Sequence, residues 1–195
     1  LPKSSISVDS SVATDLSDEA TRQGKTLYGF ANECMRSIIS VCKEGGIPQE
    51  IYPSWKLAKM SKDFGGTPLF SRELIEAVVK LAYSSDKKKL LEVCGECGKN
   101  FGIFLSVNYP KREDLIKLVD QLQFAFPSRV TELKSVRDEN DEDRVRYVFR
   151  YISTLSKEMT ECMESYLKGM FGAYSLRPTS SKIGLGIIEL QFEPV

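Results

Sequence analysis

Histidine is absent from the chain. That removes any mechanism that needs an imidazole as base, proton shuttle or metal ligand, and with it zincins, His-assisted Ser or Cys hydrolases and two-Cys-two-His fingers. An excess of charge is also missing: 27 Lys+Arg stand against 27 Asp+Glu, so no global positive field draws the protein to nucleic acid. No stretch approaches the roughly 18 unbroken apolar residues of a membrane-crossing helix, and the segment LPKSSISVDSS lacks a basic leader and an apolar core. The five cysteines, an odd number, indicate reduced thiols and a cytoplasmic protein. No nucleophile–base pair is recognisable, so neither an enzyme nor a cofactor is expected.

What is present is an ordinary globular composition, 42% hydrophobic and 28% charged. Ser4 to Val8 alternates, with Ile6 and Val8 on one face and Ser5, Ser7 and Asp9 on the other, the period of a short strand. A helix follows through Val12, Leu16 and Ala20 to a glycine stop at Gly24. Thr26 then caps a second helix whose Leu27, Phe30, Cys34, Ile38 and Val41 form an apolar stripe ending at Gly45 and Gly46. One strand and two helices cannot bury their own apolar faces, which predicts that this unit dimerises strand to strand.

Ile47–Pro48 and Tyr52–Pro53 suggest a linker before a helix containing Trp55, Leu57 and Met60. Further helices are expected from Ser71 to Ala82, from a cap at Asp86 to about Val107, and through Leu115, Leu118, Val119 and Leu122. Val130–Val136 and Val145–Ile152 read as a hairpin around the acidic stretch Asp138–Asp143. An amphipathic helix from Lys157 to Tyr174 and a last strand from Gly184 to Phe192 complete the chain. The expected class is α+β: a strand–helix–helix unit over residues 1–46, a linker and connecting helix over 47–70, and a helix-rich domain with a small antiparallel sheet over 71–195.

Several motifs dissolve on inspection. Gly24-Lys25-Thr26 copies the end of a phosphate-binding loop, but Glu19 stands where that loop needs glycine. Gly184-Leu185-Gly186 lacks the third glycine of a dinucleotide site. Cys94 and Cys97 form half a zinc knuckle with no second pair, so no metal is expected. Gly95, Gly98 and Gly102 instead make a smooth helix face for close packing. Residues 53–91 carry eight Lys+Arg against four Asp+Glu, a solvated face or a set of phosphate contacts. Met159, Cys162, Met163, Tyr166, Met170 and Phe171 share one helix and line either a solid core or an adaptable pocket.

The run Ser5-Ile6-Ser7-Val8-Asp9, Leu16, Gly24-Lys25-Thr26 and Phe30 to Met35 resembles the ribbon-helix-helix family of DNA-binding proteins over about a quarter of the chain. The resemblance implies a dimer whose paired strands enter the major groove of double-stranded DNA. Lys3, Ser5 and Ser7 would face the bases, and Lys25, Thr26 and Leu27 would hold a phosphate at a helix N-terminus. The outward positions carry serines where that family usually has Arg, Gln or Asn, and residues 1–48 hold five basic against six acidic side chains. Leu90 to Lys99, Tyr166 to Met170 and Ile187 to Phe192 are faintly similar to 4-vinyl reductase-like ligand-sensing domains, without the cysteine pair those carry near the last strand. Together these resemblances imply a dimeric transcriptional regulator or nucleoid-associated protein with a sensing or oligomerisation domain. The alternative is an assembly or small-molecule-binding protein, with no role on DNA, that uses its N-terminal unit only to dimerise; a small apolar ligand fits either.

Overall fold

The structure is a computed structural model that describes residues 5–64, 71–122, 128–138 and 141–195. Six helices and four strands are present among these residues, an α+β fold with one antiparallel sheet. The chain forms two compact units, Leu1–Ile51 and Tyr52–Val195.

In the first unit α1 (Ser10–Arg22) and α2 (Leu27–Lys43) pair as a helical hairpin. Gly24 makes the turn between them at φ +65°, a conformation that glycine adopts without a Cβ penalty. Thr26 starts α2 by accepting a hydrogen bond from the Gly29 N–H at 3.1 Å. Residues Ser5–Asp9 form no strand, which corrects the expectation of one over Ser4–Val8. The alternation is real, but within one chain no ladder partner supplies the inter-strand hydrogen bonds that would make it a strand.

Helix α3 (Pro48–Asp63) begins within the stretch expected as a linker and runs on through the helix expected at Trp55, Leu57 and Met60. Pro48 stands at its first position, where the missing N–H costs nothing, and the helix also accommodates Pro53 in its interior. Helix α4 (Arg72–Asn108) is two helices joined at Asp86, whose φ of −152° and ψ of 87° are not helical. The Asp86 carboxylate accepts from the Lys89 N–H at 2.9 Å, capping the second half as its sequence position suggests. After α5 (Arg112–Leu122) come the strands β1 (Ser128–Asp138) and β2 (Asp141–Ser153), then α6 (Lys157–Gly172), β3 (Leu176–Gly184) and β4 (Ile187–Pro194).

The sheet order is β1-β2-β4-β3, two hairpins joined by β4 pairing antiparallel with β2. Register places Leu133, Phe149 and Leu190 in one row and Thr131, Tyr151 and Ile188 in the next, all buried on one face. Strand β3 escapes sequence reading because it is an edge strand, with only Leu176 fully buried among its polar residues. On the buried face Phe171 of α6 meets Phe192 at 4.7 Å and Phe149 at 5.4 Å between ring centroids.

Helices α4 and α6 touch backbone to backbone. A Cβ built on Gly98 would lie 1.9 Å from the Tyr166 carbonyl oxygen, one on Gly102 2.3 Å from that of Met170, and one on Gly169 2.1 Å from that of Gly95. The small-residue face of α4 therefore serves packing, as its spacing suggests.

Candidate functional site

The backbone contact of α4 with α6 sets the geometry beside it. Where those helices, α3 and α5 face the sheet, the side chains leave a cavity of about 310 Å³ inside the second unit. Met163, Tyr166, Leu167 and Met170 come from α6, and Phe101 and Leu105 from α4. Leu57 and Met60 from α3 and Leu115, Leu118 and Val119 from α5 close further sides. Thr131 of β1 and Phe149 and Tyr151 of β2 form the sheet side. Each helix contributes through its apolar stripe. In α5, for example, Leu115, Leu118 and Val119 recur at i, i+3 and i+4 and all point inward.

The wall is almost purely hydrocarbon and thioether. Its hydroxyls belong to Thr131, Tyr151 and Tyr166, and burial pushes both tyrosines up from the ordinary phenol range, so they stay neutral. Tyr151 is 3% exposed, and its hydroxyl has no hydrogen-bond partner among the described residues. Ser153 and Arg72 lie close enough to oppose part of that upward shift. Arg72 is itself held, donating to the Thr154 hydroxyl at 2.6 Å and to the Glu76 carboxylate at 2.9 Å.

Such a site can bind and orient an apolar molecule; nothing in its wall is a nucleophile or a base. Among the described residues no group of three or more Cys, Asp or Glu side chains is placed to hold a metal ion. Cys94 and Cys162 lie together between α4 and α6, and burial raises both thiols, that of Cys162 to about 12. Those thiols are protonated and packed rather than poised to react.

The residues singled out for nucleic acid fare differently. Lys3 lies outside the described residues. Ser5 and Ser7 are exposed on a segment with no secondary structure. Lys25 forms an ion pair with Glu33 at 2.6 Å, and its backbone N–H donates to the Ala20 carbonyl at 2.9 Å. The Thr26 hydroxyl is engaged as the α2 cap, and Leu27 is exposed at the first position of that helix. Lys25 and Thr26 do share a hollow with Asn32 and Arg36, on the outer surface of α2. Of the α6 residues singled out, Met163, Tyr166 and Met170 line the cavity, whereas Phe171 is solid core. Leu57, Met60, Leu105, Phe149 and Tyr151 were missed as site residues. Each shows only an apolar period, the same signal every core residue gives.

Fold and site together define an α+β domain with an apolar chamber between helices and sheet. No family model matches the chain, and no curated protein does. Among solved structures, a chain described as "Probing the function of heme distortion in the H-NOX family" matches at 16% identity and TM-score 0.41, over 71% of this chain and 85% of that one. The expected ribbon-helix-helix DNA-binding regulator is not what the described residues form: Ser5–Asp9 carry no strand, and Lys25 and Thr26 are engaged within the unit. The correction has a physical root. Alternation over five residues and a capped helix are generic, and local pattern alone does not distinguish a groove-reading ribbon from an exposed lead-in to a helix. No helix among the described residues is long and apolar enough to cross a membrane.

Proposed function

We propose that the second unit is a ligand-sensing domain that binds one small apolar molecule in the chamber between α3, α4, α5, α6 and the sheet, without enzymatic activity. The observation that carries this reading is the chamber itself: about 310 Å³ within a densely packed core, walled by apolar side chains from six elements. Protein interiors rarely keep such volume without use, because every unfilled ångström forfeits dispersion contacts. A cavity of about 150 Å³ takes a benzene, so this one has room for roughly a dozen non-hydrogen atoms.

Heme, named in the description of the matched H-NOX structure, does not fit. The chain has no histidine, the wall offers no cysteine, and the two wall tyrosines are held neutral. Heme, with about forty non-hydrogen atoms, also exceeds the space by several fold. The first unit supports an assembly role: Ile6 is 69% exposed, and Val8, Val12, Leu27, Ile38 and Ile39 are exposed as well, a surface that a second copy of the chain would cover. Five free thiols favour a reducing compartment, which makes the protein cytoplasmic in this reading.

The test is a thermal-shift and calorimetric titration of the full chain with hydrocarbons of graded size. Saturable stabilisation is expected, growing with free ligand as binding to the folded state alone requires. Val119→Phe, which fills part of the chamber, is expected to weaken it, most for the largest compounds, while circular dichroism stays native. If no compound of the series binds, or if all bind equally to the filled variant, the reading fails. Sedimentation of the full chain over a range of concentrations tests self-association, and a monomer throughout would end the assembly role.

A further inference from the structure

The chamber is apolar almost everywhere, yet one of its walls contains a buried polar group unpaired among the described residues. Tyr151 lies on β2 between Thr131 of β1 and Ile188 of β4, and its ring faces the chamber with Phe149. Its hydroxyl is buried and has no hydrogen-bond partner among the described residues. A phenol is both a donor and an acceptor, and a buried one left unpaired loses its hydration with no return. Native interiors seldom keep such a group, and each one calls for a reason such as strain, a bound water or ion, or a functional role.

From this we infer that the ligand of the chamber carries one hydrogen-bond acceptor, a carbonyl or ether oxygen on an otherwise apolar body of about a dozen non-hydrogen atoms, and that the Tyr151 hydroxyl donates to it. This rests on the proposed ligand-binding reading and specifies its chemistry. A charged ligand is excluded, because the wall holds no cation to repay the desolvation of an anion and no carboxylate to receive an ammonium. A pure hydrocarbon fits the space but leaves the phenol unpaired. A neutral acceptor satisfies it. The wall can yield to let the oxygen approach, since Met60, Met163 and Met170 are unbranched thioethers that re-pack at small cost. Donation also agrees with the protonation state, because burial keeps the Tyr151 phenol neutral and its proton in place.

The experiment compares two ligands of one shape, acetylnaphthalene and isopropenylnaphthalene, in which a carbonyl oxygen is exchanged for a methylene. Calorimetry on the full chain is expected to show the ketone binding about fivefold to tenfold more tightly, the worth of one neutral hydrogen bond in a dry site. Tyr151→Phe is expected to erase that preference and to raise the melting temperature of the ligand-free chain by removing an unpaired hydroxyl. Tyr166→Phe, at the other tyrosine of the wall, is expected to keep the preference. Equal binding of the two compounds to the unaltered chain, or a preference that survives Tyr151→Phe, overturns the inference and leaves the apolar chamber standing as a hydrocarbon site. If neither compound binds, the ligand-binding reading falls and takes this one with it. Should Tyr151→Phe fail to fold, the comparison of the two compounds on the unaltered chain still decides.

Discussion

Adding one methyl group at Gly98 and one at Gly95 should move stability in opposite directions. Both glycines lie in the second half of α4, where glycine costs a helix about 1 kcal/mol relative to alanine, so alanine at an unobstructed position is a gain of that order. At Gly95 the new Cβ would sit 3.7 Å from the Ser165 carbonyl oxygen, an ordinary contact, and the gain survives. At Gly98 it would fall 1.9 Å from the Tyr166 carbonyl oxygen and 2.6 Å from its carbon. Both are backbone atoms of α6, which no side-chain rotation can move away. Relief to about 3 Å requires the helices to part by about 1 Å, and a gap of that size forfeits a quarter to a half of each dispersion contact along the interface. Overpacking of this kind costs about 1–3 kcal/mol and occasionally more, which exceeds the propensity gain, so a net loss of about 2 kcal/mol is expected. Because Phe101 and Leu105 follow Gly98 on α4, and Met163, Tyr166 and Met170 project from α6, the same displacement reshapes the chamber and should weaken any ligand bound there. Urea denaturation followed by circular dichroism supplies the measurement, with the midpoint rising for Gly95→Ala and falling for Gly98→Ala. If both variants shift the same way, or if Gly98→Ala is neutral, the helices do not meet as described.

Thr160→Val should destabilise by about 1–3 kcal/mol in the same assay, because the buried Thr160 hydroxyl donates to the Ser156 carbonyl at 2.7 Å and accepts from the Gly186 N–H at 3.0 Å, and valine strands that N–H. Thr26→Ala should cost the first unit about 1 kcal/mol by removing the α2 cap, with serine restoring it; an unchanged helix signal on heating would contradict the cap. Stability should fall as the solution is made alkaline. Burial raises Cys162 and Tyr174 to about 12, above their ordinary 9.0 and 10.0, and raises Tyr151 and Tyr166 as well. Native thiol and phenols therefore keep protons that the unfolded chain releases, and the contribution present below about pH 9 is lost through about pH 12. A denaturation midpoint that stays flat from pH 9 to 11 would show these groups to be solvated.

The sequence alone was enough for most of the helices and for the β1–β2 hairpin, because period and caps are local: Thr26, Ser71, Asp86 and Ser156 each stand where a helix begins. It also pointed to the packing role of Gly98 and Gly102 on one small-residue helix face, although Gly95 beside them has room for a Cβ. It could not reveal that Ser5–Asp9 lack a strand, because a strand is a property of two segments and the pattern records only one. Nor could it place the edge strand β3, whose exposure removes the alternation by which strands are recognised. Of the chamber, only the α6 side, through Met163, Tyr166 and Met170, was legible as a core or a pocket; the rest lay beyond it. Leu57, Leu105, Leu118, Phe149 and Tyr151 come from elements spread over nearly a hundred residues of chain, and each obeys the same rule as the solid core around it. Whether such side chains meet or leave a gap depends on how closely the helix backbones approach, and whether the Tyr151 hydroxyl finds a partner depends on what the fold brings beside it. Both are distances between segments remote in sequence, set only when α4 and α6 close on each other and both pack over the sheet.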